Sequence, residues 1–125
     1  MSELTRPDVD PPEGPAPTEL VIDEIVVGDG AEAEAGQHVR AHYTGVTHAE
    51  GEQFDSSWDR GDPLEFRLGV GQVIAGWDQG IVGMRVGGRR RLTIPSALAY
   101  GDRGAGGVIK PGAALVFVVD LVAVR

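Results

Sequence analysis

The chain has no cysteine, no asparagine, a single lysine and no apolar run long enough to be a membrane helix. Without cysteine there is no disulfide framework, no thiolate zinc site and no cysteine nucleophile. Without asparagine there is no N-glycosylation acceptor. No stretch approaches the ~18 apolar residues of a spanning helix, and no charged-then-apolar leader opens the chain. These absences lead us to expect a soluble, cytoplasmic protein with no membrane partner. At 125 residues the chain suits one domain with a modest core.

What is present is unevenly spread. The formal net charge is −8, yet residues 1–36 carry ten acids against one base and the remainder is nearly neutral. The acidity therefore belongs to the N-terminal region, and an acidic whole disfavours binding to nucleic acid, which depends on neutralising phosphates. Five of the eight prolines fall in the first 17 residues. Such a stretch has too few bulky apolar side chains to offset the entropy of ordering. Residues 1–18 are accordingly read as a disordered, acidic, proline-rich tail, with a docking motif for a proline-recognition domain as the alternative. The folded domain is expected over 19–125.

Within it, short alternating runs are separated by turn chemistry. Strands are expected over Leu20–Val27, Val39–Thr44, Leu64–Leu68, Arg89–Ile94 and Leu115–Val124. The last is apolar on both faces save Asp120 and should lie centrally. One segment, Ala75–Val82, lacks period-2 alternation and sets Trp77 and Ile81 four apart, on one face of a short helix. Its two glycines make it a poor isolated helix, so packing must hold it. A mainly antiparallel sheet covered by one short helix is an α+β arrangement.

Several chemistries have no seat. No G-x-S-x-G elbow accompanies a histidine, and neither phosphate-binding glycine motif occurs. His38 and His42 share a strand face roughly 13 Å apart at ~3.3 Å per residue, too far for one metal. His38, His42 and His48 are expected to be solvated strand residues. No metal and no cofactor is expected. Arg89-Arg90-Arg91 is a basic run, but strand alternation sends its side chains to both faces. The seven aromatics all lie between Tyr43 and Phe117, spread along the elements. That distribution fits an ordinary aromatic core and an apolar ligand pocket equally well.

At these residues the sequence resembles a known family. Val39-Arg-Ala-His-Tyr-Thr-Gly45, Phe54-Asp-Ser-Ser57, Val73-Ile-Ala-Gly-Trp77, Leu92-Thr-Ile-Pro95, Ala99-Tyr-Gly101 and Leu115-Val-Phe117 are similar to the ordered blocks of FKBP-type peptidyl-prolyl cis-trans isomerases. The resemblance runs from about Glu19 to Arg125. It implies a curled antiparallel sheet of five to six strands wrapped around one short helix. It also implies isomerisation of X-Pro bonds in proline-containing peptides and unfolded proteins, binding of macrolides such as rapamycin or tacrolimus, and a monomer.

Carried over block by block, the resemblance gives Asp55, Tyr100, Ile74 and Trp77 as the groups acting on the amide. Trp77 would be the floor, while Ile74 would offer its N–H and Tyr100 its hydroxyl. Tyr43, Phe54, Arg60, Leu64, Val73, Val108, Ile109 and Phe117 would bind the substrate around them, Arg60 by pairing with Asp55. Leu64 replaces an aromatic wall common in the family. Ala105 and Gly106 replace bulkier residues of the overhanging loop, so weaker or broader substrate selection is expected. Two other functions stay in view. One is a module that grips a proline-containing partner or a macrolide without physiological turnover. In the other, the N-terminal tail carries the function.

Overall fold

The strand Leu115–Val124, one of two with ten residues, pairs along both edges and is the spine of the molecule. The computed structural model describes residues 5–105 and 109–125. Six strands, β1 (Val21–Val26), β2 (His38–Thr47), β3 (Gln53–Ser56), β4 (Leu64–Arg67), β5 (Arg89–Ile94) and β6 (Leu115–Val124), form one antiparallel sheet. Their order is β1-β5-β6-β2-β3, and β4 pairs with the first half of β2 while β3 pairs with its second half. β2 can serve both because β4 pairs with it only at His38–Ala41 and β3 only at Thr44–Val46, where the bulge leaves Phe54 of β3 as the extra residue. The expected strand at β5 has the bounds foreseen, and so does β6, which is buried from Leu115 to Leu121.

Alternation on these strands builds the core. Val39, Ala41 and Tyr43 of β2, Leu92 and Ile94 of β5, and Phe117, Val119 and Leu121 of β6 form one buried cluster with Phe66, Leu68, Trp77 and Ile81. The helix that closes it, α2 (Ala75–Gly80), is shorter than the Ala75–Val82 expected, with Ile81 already its C-cap. Its glycines have a steric reason. A Cβ on Gly76 would fall 2.6 Å from Ile94 Cγ2, and one on Gly80 2.8 Å from Leu92 Cδ1. Bare backbone lets α2 lie directly on β5, and that contact replaces the helix propensity that glycine forfeits.

Three short elements lie outside the expectation of a single helix. One turn of helix, α1 (Ser57–Arg60), follows β3 directly and is stopped by Gly61 in the left-handed region at φ 77°. Two 3-10 turns, Ser96–Leu98 and Gly101–Arg103, follow β5. β3 itself was not foreseen either: four residues are too few for alternation to register against noise. The basic run at 89–91 does divide between faces. Arg89 pairs with Asp120 and Arg91 with Asp23, while Arg90 turns to Glu24 and the carbonyls of Gly80 and Val82.

Candidate active site

β2, β3, β6 and α2 converge on a concavity of about 390 Å³ lined by Tyr43, Phe54, Asp55, Leu64, Gln72, Val73, Ile74, Trp77, Tyr100 and Phe117. Trp77, 4% exposed, forms the floor because α2 presses its buried face onto the sheet. Tyr43 meets it edge-on at 4.8 Å between ring centroids and 76°, and Phe117 does so at 5.2 Å and 84°. Phe54 stands edge-on to Phe117 at 5.5 Å and 89°. Perpendicular rings set positive edges against negative faces, each pair contributing about 0.5–1.5 kcal/mol beyond area burial. The result is an aromatic bowl whose buried rings are continuous with the core. Gly45 keeps it open, since a Cβ there would lie 2.6 Å from Phe54 Cζ and 2.7 Å from Phe117 Cε1.

One wall is polar. The Tyr43 hydroxyl donates to Asp55 Oδ2 at 2.6 Å, and Arg60 Nη1 donates to Asp55 Oδ1 at 2.5 Å. Arg60 Nη2 donates to the Tyr43 hydroxyl at 2.8 Å, closing a triangle. Burial, and then the hydrogen bond to Asp55, push the Tyr43 phenol above its ordinary value. The hydrogen bonds to Tyr43 and Asp55 raise Arg60 further. Tyr43 thus stays a neutral donor and Arg60 a permanent cation, and both hold the Asp55 carboxylate by its two oxygens.

The triangle is itself held from beneath. Ser57, fully buried at the start of α1, accepts the Tyr43 backbone N–H on Oγ at 2.7 Å and lies 2.8 Å from His42 Nδ1. The His42 ring stacks on Trp58 at 4.0 Å, and burial, the largest cause, lowers its pKa. The Ser57 oxygen receives the Tyr43 N–H, and its single hydrogen has two acceptors within reach, His42 Nδ1 and the Tyr43 carbonyl at 3.3 Å. Here the structure corrects the expectation of three solvated histidines: His48 is buried and His42 half-buried, while His38 is exposed. Their neighbours, Trp58 from α1 for His42 and the Ala114 carbonyl for the His48 N–H, come from distant parts of the chain.

Nine of the twelve residues named from the sequence line the concavity: Tyr43, Phe54, Asp55, Leu64, Val73, Ile74, Trp77, Tyr100 and Phe117. Arg60 stands behind Asp55 rather than in the lining. Ile109 is buried against Ala105 in a two-residue bridge and does not line it. Val108 lies outside the described residues, as does Gly106. Gln72 lines the cavity without having been foreseen; its side chain accepts the Arg67 N–H at 2.8 Å, a loop-closing contact with no signature in sequence. Ser57 was also missed, although it ends the Phe54–Ser57 block. Three donors of the lining face no protein acceptor among the described residues: the Ile74 N–H, the Tyr100 hydroxyl, which is 40% exposed, and the buried Trp77 Nε1–H.

Comparison with known proteins is consistent from end to end. The family model for FKBP-type peptidyl-prolyl cis-trans isomerase matches residues 30–122. An FK506-binding protein of Streptomyces anulatus is 61% identical over 122 residues, spanning 97% of this chain and 98% of the relative. The peptidyl-prolyl cis-trans isomerase FPR2 of Saccharomyces cerevisiae is 57% identical over 106 residues, 84% of this chain and 78% of the relative. Among solved structures, the crystal structure of AtFKBP13 superposes with a TM-score of 0.79 at 46% identity, covering 88% of this chain and 96% of the other.

Proposed function

Because this chain belongs to the FKBP-type peptidyl-prolyl cis-trans isomerase family and is such an isomerase, we propose that it acts by binding the twisted X-Pro amide in the bowl over Trp77. The cis and trans forms differ by only ~0.5–1 kcal/mol, but resonance sets a barrier of ~18–20 kcal/mol between them. Twisting the C–N bond by a quarter turn removes that resonance and withdraws charge from the carbonyl oxygen. The twisted amide is therefore less polar than the planar one. A dry bowl of Trp77, Phe54, Phe117, Val73 and Leu64 favours it over the solvated planar form. That is stabilisation of the transition state beyond the ground state, with no bond made or broken by the protein.

The polar groups orient rather than react. Among the described residues the Ile74 N–H, at the rim of α2, meets no acceptor and suits a substrate carbonyl. The Tyr100 hydroxyl, likewise without a partner among the described residues, suits a second acceptor. Asp55, fixed by Tyr43 and Arg60, presents a carboxylate that complements the altered amide dipole. The observation that carries this reading is the pairing of an edge-to-face aromatic bowl with one braced carboxylate and with donors that, among the described residues, meet no protein acceptor.

The same bowl is proposed to take macrolides. Relatives of this chain carry the name FK506-binding protein, and a pocket of about 390 Å³ with an apolar floor is of ligand size. Isomerisation of an Ala-Leu-Pro-Phe peptide, with and without FK506, tests both statements. Acceleration abolished by FK506 is the expected result, together with a loss of about tenfold or more in kcat/KM for Asp55→Ala with the fold intact. Full activity in Asp55→Ala would remove the carboxylate from the mechanism. Acceleration insensitive to saturating FK506 would place the drug elsewhere.

A further inference from the structure

The only basic residue among the first 36 is Arg6, in a segment whose composition gives it no reason to order. Residues 5–11 nevertheless follow one track over the face of the sheet opposite the bowl. The Thr5 carbonyl accepts from Arg89 of β5, Pro7 is buried, and residues 6–10 face Thr44 and Val46 of β2. Pro11 then lies against Gly51, in the turn between β2 and β3. Arg6 sits on this track with its guanidinium reaching two segments at once. Its Nε donates to Asp59 Oδ1 at 3.0 Å, and its Nη2 donates to Gln53 Oε1. The Gln53 amide closes the ring by donating to Asp59 Oδ2 at 2.9 Å.

The position of this ring gives it meaning. Gln53 is two residues before Asp55 on β3, and Asp59 is one before Arg60 on α1. The segments it joins are those that carry the two ends of the Asp55–Arg60 pair. β3 is an edge strand of four residues and α1 a single turn, so neither is rigid by its own hydrogen bonding. Ser57 ties the start of α1 to β2, and the far end is held only through side chains. The far end of α1 is joined to β3 by the Gln53–Asp59 bond and by Arg60 itself, and a planar guanidinium bonded to both Gln53 and Asp59 adds a further link that a point charge would not. The Asp59 carboxyl is held below its ordinary value by the Gln53 amide and then by Arg6, as a closed ring requires.

We infer that Arg6 is a positioning residue for the isomerisation: from the back of the sheet it braces β3 to α1 and so keeps Asp55 and Arg60 in the geometry that engages Tyr43. The N-terminal segment is then a strap belonging to the site, not an independent tail. The inference rests on the role proposed for Asp55. The ion pair is exposed, 38% and 53% at its two side chains, so its worth is small in stability. Its effect is expected in catalysis, where small misplacements of a polar group are felt strongly.

The test uses the full chain and four variants. Arg6→Ala is expected to lower kcat/KM for the Ala-Leu-Pro-Phe peptide about threefold, the range open to an exposed pair, with an unchanged urea midpoint. Arg6→Lys, able to reach one partner at a time, recovers part of that loss. In an Arg60→Ala background, Arg6→Ala costs nothing further, because the pair it braces is gone. Unchanged kcat/KM in Arg6→Ala overturns the proposal, and so does an equal threefold loss in the Arg60→Ala background. Full activity in Arg60→Ala alone would instead refute the role of the Asp55–Arg60 pair, and the brace with it. That failure is read from the single variant, independently of Arg6.

Discussion

Replacing Gly45 with alanine tests whether the open bowl depends on an absent side chain. The added Cβ would stand 2.6 Å from Phe54 Cζ and 2.7 Å from Phe117 Cε1, where carbon contacts settle at about 3.5–4.0 Å. Each ring must therefore yield about 1 Å, or β2 must retreat. The strand cannot retreat cheaply, because Gly45 is paired with Asp55 of β3 on one side and Phe117 of β6 on the other. Phe117 is 3% exposed with Trp77 edge-on against it, so its ring has no room behind. Both rings are left to move toward the concavity.

Overpacking of this kind costs about 1–3 kcal/mol, against which the lower chain entropy of alanine in the unfolded state returns about 0.4–1 kcal/mol. A net loss of about 1–2 kcal/mol in urea denaturation is expected. A shift of about 1 Å in the walls of a site that works by fit should cost about tenfold to a hundredfold in kcat/KM. The coupled peptide assay, run beside the denaturation curve, reads both quantities. Stability lost with kcat/KM intact would mean the rings move away from the substrate, and the identification of the bowl as the site would fail. No change in either would refute the steric argument itself.

Two further expectations concern the back of the sheet. Burial lowers the His42 pKa below its ordinary 6.5, so the unfolded chain binds the proton more readily. The stability contributed by neutral His42 is full above that value and is lost as pH falls through the lowered pKa. Urea denaturation at pH 7.5 and pH 5.5 should show a smaller loss in His42→Phe, which keeps the stack on Trp58; equal losses would refute it. Arg89 and Asp120 form an ion pair of 2.5 Å with side chains 15% and 4% exposed. Burial raises Asp120 even with Arg89 bound. Arg89→Ala should cost about 3–5 kcal/mol near neutral pH, less in acid where Asp120 takes up a proton, whereas the double change to leucine should come close to neutral. Calorimetry at pH 5 and pH 8 decides, and a pH-independent deficit would contradict the assignment.

Much of this molecule was readable from local pattern. Strict alternation located β4 and β5, the continuous apolar run located the central β6, and the spacing of Trp77 and Ile81 located α2, because each of these signals depends on a residue's near neighbours alone. Nine of the residues named from the ordered blocks lie together around the concavity. What the sequence left open, whether the aromatics fill a core or wall a pocket, depended on distances across the chain. Phe54, Trp77 and Phe117 meet at right angles only because β2 lies between β3 and β6 and α2 rests on bare glycine. The histidines were misjudged for the same reason, since strand alternation counts faces and knows nothing of what covers them. β3 and α1, four residues each, hold their shape through β2, Ser57 and the Arg6 ring rather than by propensity. Short elements take their structure from contacts distant in sequence, and these contacts set the polar wall of the site.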